Sequence, residues 1–255
     1  MLGAVLATAI ALASLGVQAK QTVGEITSIG ARPAGSQNEL RVQRLITRRL
    51  EALDYFIALQ PFVLPRGGRS QNVVGSTGGA PRVVVLAQVD GVRGTRAAND
   101  NASGVAAMLA VAAALRGRPG VWVAGLGAEE RIETRSRYHL GSTAFVRALV
   151  PAERRSIRLV VSLDMVGVGT RLRVRGIEAR PNRSAQLLIP GASYLRDPLG
   201  QSDHAELTRA GIPAAWLQWR QDRCWHSKCD NVQRISVRNL RAAIDVTLKA
   251  ADAAL

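Results

Sequence analysis

The chain has 255 residues, 47% of them hydrophobic, and 34 basic against 19 acidic side chains give it a formal net charge of +15. That length suits one α/β domain with a substantial core, and no internal repeat, inserted domain or long low-complexity tract interrupts it. Only Lys20, Lys228 and Lys249 among the basic residues are lysine. No basic stripe is interleaved with aromatics, so a nucleic-acid partner is not expected, although the charge suits weak attraction to acidic cell surfaces.

The first 19 residues form an apolar run ending in Val17-Gln18-Ala19, the pattern of a signal peptide cut before Lys20. No Lys or Arg precedes the run, which leaves an uncleaved membrane anchor or a misplaced start as competing readings. No other segment approaches the ~20 apolar residues of a membrane span. The expected layout is a leader over 1–19 and a single domain over 20–255, in a protein that is secreted, periplasmic or held at the cell surface. The stretch 61–82 is the most loop-like, with connections around one strand. Val83–Leu86 then read as a buried strand with Gln88 and Asp90 at its tip. Asp100 stands at the mouth of an alanine-rich helix, Ala102 to Arg116, that closes at Gly117. VWVAGLGAEE is a second strand, ending in Glu129 and Glu130, and RLVVSLDMVG a third, ending in Asp164. CWHSKCDN encloses His226 between Cys224 and Cys229, and a helix from Val237 to Ala254 follows. Short valine-rich strands alternating with helices argue for an α/β sheet covered on both faces.

Carboxylates at the ends of buried runs are costly unless a cation or a tight hydrogen-bond network holds them. Several in series suggest a metal. Adjacent strand residues point to opposite faces, so Glu129 and Glu130 serve one site only where the strand frays into a loop. There one can bind a metal while the other takes the proton of a metal-bound water.

With these stretches in order, the chain resembles the secreted co-catalytic zinc aminopeptidases of peptidase family M28, whose relatives include the glutaminyl cyclases. AANDNASGVAAMLAVAAAL, GAEE, SLDMVG, QSDHAELTRAGIPA and CWHSKCDN carry the likeness, which runs from about residue 29 to the C-terminal helix. The resemblance implies a three-layer α/β/α sandwich around a mixed, mostly parallel sheet of about eight strands, with metals at the strand ends. It implies that Asp100 bridges two zinc ions, that Glu130 and His226 complete one site and that Asp164 belongs to the other. Glu129 would be the general base, and Asp90 the acid orienting the ligand at position 88. The implied reaction is hydrolysis of the N-terminal bond of peptides that carry a free α-amino group. The resemblance also implies a disulfide between Cys224 and Cys229, which would persist in an oxidising compartment. Taken alone, the two cysteines also read as free thiols; as zinc ligands they are disfavoured, because zinc fingers need two such pairs and this chain has one. A monomer is expected.

Two positions depart from the pattern. The family has His-x-Asp at the first strand tip, and this chain has Gln-Val-Asp. A neutral amide oxygen is a poor zinc donor beside imidazole, so one tight zinc is expected, with the site of Asp164, Asp100 and Gln88 weak, empty or held by another divalent ion. Trp225 stands where many of the aminopeptidases have tyrosine; its indole N–H can polarise an oxyanion but cannot act as an acid. Glutaminyl cyclases also place tryptophan beside this histidine and work with one zinc, so a cyclase is a further reading. A non-catalytic binding protein on a hydrolase scaffold is another, supported by Gln88 and opposed by retention of both Glu129 and Glu130. Other polar residues receive structural readings. His204 follows a helix N-cap at Ser202, His139 is solvated or structural, and Asp203 is structural near the pocket rim. Asn99 and Asn101 shape the turn presenting Asp100, and Gly104 allows close packing of the helix start.

Overall fold

The computed structural model describes residues 2–65, 67–131 and 138–255, with side chains in the first helix from residue 14 onward. Helices α1 (Leu2–Ile29) and α2 (Gln37–Glu51) precede an antiparallel pair, β1 (Phe56–Val63) and β2 (Arg69–Ser76). Next come β3 (Val83–Gln88), α3 (Ser103–Ala114), β4 (Val121–Leu126), α4 (Leu140–Ala148), α5 (Pro151–Ser156), β5 (Leu159–Leu163) and β6 (Arg171–Gly176). The chain closes with α6 (Arg183–Leu188), β7 (Ser193–Arg196), α7 (His204–Arg209), β8 (Ala214–Arg220) and α8 (Val237–Ala254).

The eight strands form one mixed sheet in the order β1-β2-β4-β3-β5-β8-β6-β7. Its centre, β4-β3-β5-β8, is parallel, and β3 is buried along its whole length. Both of its faces are covered, which is why it reads as an unbroken apolar run rather than an alternating one. Val83, Val85 and Ala87 belong to a core cluster built with residues of α1, α2, α3, α6 and α8 on one side. Val84 and Leu86 meet Phe145 of α4 and Leu207 of α7 on the other. The three-layer architecture and strand count expected from the resemblance are therefore present.

The connection from β3 through α3 leads to β4 on one side of β3, and the chain later returns to place β5 on the other. Such a reversal opens a crevice at the carboxyl ends of the strands, the usual ligand site of open α/β sheets. Asp90, Glu129, Glu130 and Asp164 all lie within four residues of those ends.

Several local expectations shift. The loop-like stretch 61–82 contains the end of β1 and the whole of β2. Regular helix begins at Ser103 rather than Ala102, because Asp100 and Asn101 leave helical geometry. Ser202 is not the N-cap of the next helix. The cap position is Asp203, whose backbone is itself helical and whose side chain does not cap. At the N-terminus, α1 runs unbroken through the expected cut before Lys20, with Ala19, Val23 and Ile26 buried in the core. Among the described residues, no helix is long and apolar enough to cross a membrane.

Candidate metal centre

Four residues close to the site's side chains adopt a backbone bend that L-residues resist. Ala97, Ala128, Met165 and His226 all have φ between 49° and 57°, and such conformations persist only where the surroundings enforce them. Here the enforcement is visible. The Asp90 carboxylate accepts the backbone N–H of Glu129 at 2.9 Å and of Glu130 at 3.1 Å, pulling the frayed end of β4 round so that both side chains enter one site. Asp90 thus holds the two glutamates. Glu39 accepts the N–H of Ala128 and supports the same bend from α2. On the other side, Asp230 accepts the backbone N–H groups of Asn99 and Asp100 at 2.8 and 3.1 Å. The fully buried Arg32 guanidinium donates to the carbonyls of Val89, Arg96 and Ala97.

Asn99 and Asn101 shape the Asp100 turn as expected. Asn99 Oδ1 accepts from Gly167 and Val168 N–H, and its Nδ2 donates to Asp222. Gly104 has a steric reason: a Cβ there would stand 2.1 Å from the Leu163 carbonyl oxygen and 2.4 Å from Asn101 Oδ1.

Asp100, Glu130 and His226 bring one ligand atom each to within 4.8 Å of one another. His226 Nε2 lies 3.2 Å from Asp100 Oδ2 and 3.3 Å from Glu130 Oε2. His226 comes from a loop closed by a Cys224–Cys229 disulfide and pinned by Asp222, which accepts from Cys224 N–H and from Arg234. Burial, and then the neighbouring Asp100, push the Glu130 carboxyl up to about 8. Burial alone would lower the His226 imidazole, but its hydrogen bonds to Asp100 and Glu130 raise it to about 10. Burial and then Glu130 hold Glu129 well above the usual carboxylate range, and burial and then Asp100 do the same to Asp164. Glu130 Oε1 and Asp164 Oδ1 are buried without a hydrogen-bond partner among the described residues. A crowd of buried carboxyls around one imidazole, with orphaned oxygens, is what a divalent cation relieves. Two carboxylates and a histidine are a fitting donor set for zinc with a coordination position left open.

Gln88 does not join that set. Backbone N–H groups only donate, and those of Gly104 and Met165 point at Asn101 Oδ1, at 2.9 and 3.2 Å. Asn101 must therefore present its NH₂ to Gln88 Oε1, at 2.7 Å, which turns the Gln88 NH₂ toward the acids. Gln88 Nε2 donates to Asp100 Oδ1 at 3.2 Å and to Glu129 Oε2 at 3.3 Å. A protonated nitrogen, not a free lone pair, faces the space where a second cation would lie.

The remaining predicted residues fall as follows. Trp225 is half exposed, its ring against His226 with centroids 4.1 Å apart. Asp164 lines the site, and Asp203 and His204 are fully buried beneath it. His139 is neither solvated nor distant: it is buried, with Nε2 3.3 Å from Glu129 Oε1. Sequence reasoning missed this contact, along with the supports from Arg32, Glu39 and Asp230. Their local sequence carries no signal of these roles, since Glu39 and Asp230 stand among other polar residues.

Among curated proteins, the chain is 29% identical over 207 residues to aminopeptidase YwaD of Bacillus subtilis (strain 168), covering 71% of this chain and 44% of that protein. It is 27% identical over 264 residues to leupeptin-inactivating enzyme 1 of Streptomyces exfoliatus, covering 85% of this chain and 57% of that one. The chain thus spans about half the length of these relatives. Among solved structures, a zinc aminopeptidase from Bacillus subtilis superposes with a TM-score of 0.85 at 18% identity, covering 94% of each chain. A glutaminyl cyclase from Porphyromonas gingivalis superposes with 0.82 at 18% identity, over 94% of this chain and 98% of the other. At that identity the superpositions speak for the fold alone. The model of Peptidase family M28 matches residues 72–251, which contain Asp100, Glu129, Glu130, Asp164 and His226, and the chain belongs to that family.

Proposed function

We propose that this domain is an exported zinc-dependent aminopeptidase that works with one tightly held zinc, bound by Asp100, Glu130 and His226. The meeting of those three ligand atoms beside Glu129 carries the reading. When bound, the zinc supplies a Lewis acid that makes a water acidic near neutrality and polarises a carbonyl. Glu129 takes the proton of the attacking water and returns it to the leaving amine. Its burial, which favours the protonated form, suits a group that must hold a proton between those steps. The surrounding acids attract the α-ammonium of a peptide with a free N-terminus. The orientation of Gln88 supports a single zinc, because its amide N–H groups already satisfy Asp100 and Glu129 where a second cation would sit. The Cys224–Cys229 disulfide supports an oxidising compartment.

One observation favours a second reading, a glutaminyl cyclase: Trp225 packs on His226, the histidine proposed to hold the zinc. A single experiment separates the readings. Zinc content of the purified protein is measured beside hydrolysis of aminoacyl-nitroanilides and turnover of an N-terminal glutaminyl peptide, with Glu129→Gln as control. The aminopeptidase reading expects one zinc per chain and a hydrolysis rate that falls 100- to 10,000-fold in the control with zinc retained. Turnover of the glutaminyl peptide without hydrolysis would transfer the assignment to the cyclase. Absence of both activities and of zinc would leave a binding scaffold.

A further inference from the structure

His139 occupies the left-handed residue immediately before α4 (φ 59°). Its backbone N–H donates to the carbonyl of Glu129 at 3.0 Å, and that of Leu140 to the carbonyl of Ala128 at 2.9 Å. The chain leaving β4 thus returns to pair with the frayed end that bears the base. The imidazole is buried and lies between two carboxylates. Nε2 is 3.3 Å from Glu129 Oε1, and Nδ1 is 3.4 Å from Glu206 Oε1 on α7. Glu206 is partly exposed and also holds Arg209.

The two oxygens of Glu129 therefore have different fixed neighbours. Oε2 shares the Gln88 amide with Asp100, so it is the oxygen on the metal side. Oε1 faces away from the metal ligands, toward His139. A glutamate side chain has three rotatable torsions, and a base that swings loses rate because proton transfer requires a heavy-atom separation of about 2.6–3.2 Å.

We propose that His139 is a positioning residue for the base, its Nε2–H directed at Glu129 Oε1 and its Nδ1–H at Glu206 Oε1, so that the ring donates from both nitrogens. Resting on the aminopeptidase reading for its effect on rate, the role assigns a function to the chain segment that re-enters the site after β4. It also explains why a histidine is buried there between acids of two different elements.

Glutamine and asparagine separate the two ring contacts, since the Gln amide reaches where Nε2 stands and the Asn amide where Nδ1 stands. His139→Gln should keep the rate within about 10-fold of wild type. His139→Asn and His139→Leu should lower kcat about 100-fold, the scale of a 1 Å misplacement in an active site, with KM and zinc content unchanged. Equal losses in all three variants, or a loss confined to KM, would overturn the proposal. A second measurement does not depend on turnover. The chain has three histidines, so their ring ¹⁵N resonances are few enough to assign by substitution. Glu129→Gln should move the Nε2 resonance of His139, and Glu206→Gln its Nδ1 resonance. If neither moves, the anchoring is refuted whatever the activity. If the wild-type protein hydrolyses nothing, the aminopeptidase reading fails while the resonances still decide the contact.

Discussion

Gln88 turns amide N–H groups, rather than a metal-binding lone pair, toward Asp100 and Glu129. Glutamine and histidine reach similar distances from the backbone, so the exchange leaves β3, Asp90 and Asn101 in place and alters only what faces the acids. With imidazole at 88, a ring nitrogen lone pair could point at the space beside Asp164 and Asp100, and Asp164 Oδ1, now without a partner, would gain one in a second cation. Gln88→His should raise the zinc content from one to two per chain, measured by mass spectrometry of exhaustively dialysed protein. A stoichiometry that stays at one would show that residue 88 does not set the metal count. The substitution discards the hydrogen bond from Asn101, a loss of about 1 kcal/mol in stability, small beside the differential binding of a divalent ion.

At the scale of elements, the residues proposed to hold the metal divide into two kinds. Asp100 and Glu130 sit on backbone held by buried carboxylates, Asp230 and Asp90. His226 sits on a loop whose two cysteines are five residues apart, and its side chain is about one-third exposed. A ligand on such a loop owes its position to the crosslink. By chain entropy, closing so short a loop stabilises the fold by about 2 kcal/mol. Its larger effect is to fix the imidazole. Replacing both cysteines by serine should therefore weaken zinc binding by roughly 10- to 100-fold, the range for losing a group that orients a metal ligand. Competition with a chelating dye checks this. A melting temperature that falls sharply with unchanged zinc affinity would show instead that the bond serves the fold and not the ligand.

Across the whole molecule, the protonation of the metal centre couples to folding. Glu130 is raised from 4.5 to about 8 and His226 from 6.5 to about 10 in the metal-free protein. Both groups then bind protons more tightly folded than unfolded, so their contribution to stability is full at low pH. It is lost as pH rises, between 4.5 and about 8 for the glutamate and between 6.5 and about 10 for the histidine. Zinc displaces those protons and binds better as they leave. The gain in melting temperature on zinc loading should therefore be larger at pH 8 than at pH 6, as read by calorimetry of stripped and loaded protein. An equal gain at both would contradict the coupling. Legibility follows the same division between local and distant. The strands and the acids at their ends were readable because a buried parallel strand is an unbroken apolar run, and its polar tip marks the carboxyl edge where ligands bind. Asp90, Glu129, Glu130 and Asp164 are legible that way, whereas Asp100 stands at a helix mouth and His226 in a cysteine-flanked loop, and their roles come from the family resemblance. The distant groups that hold the site are not legible, because Asp230 meets Asn99 from 131 residues away and Arg32 meets Ala97 from 65. No spacing rule connects such partners, and a lone buried His139 looks like any core histidine until its neighbours are known.

The unbroken course of α1 through Ala19 and Lys20 bears on the order of events in the life of the chain. Gly16 lies against α8, where an added Cβ would meet Val237 O and Arg241 Cβ at 3.1 Å, and Ala19 is sealed in the core. A processing peptidase needs its scissile bond extended and accessible, and the 19–20 bond of the folded molecule is coiled and packed. A peptidase could therefore cut that bond only before α1 docks. Once α1 has docked on α3 and α8, the 19–20 bond is closed to such an enzyme, so docking and cutting at that bond exclude one another.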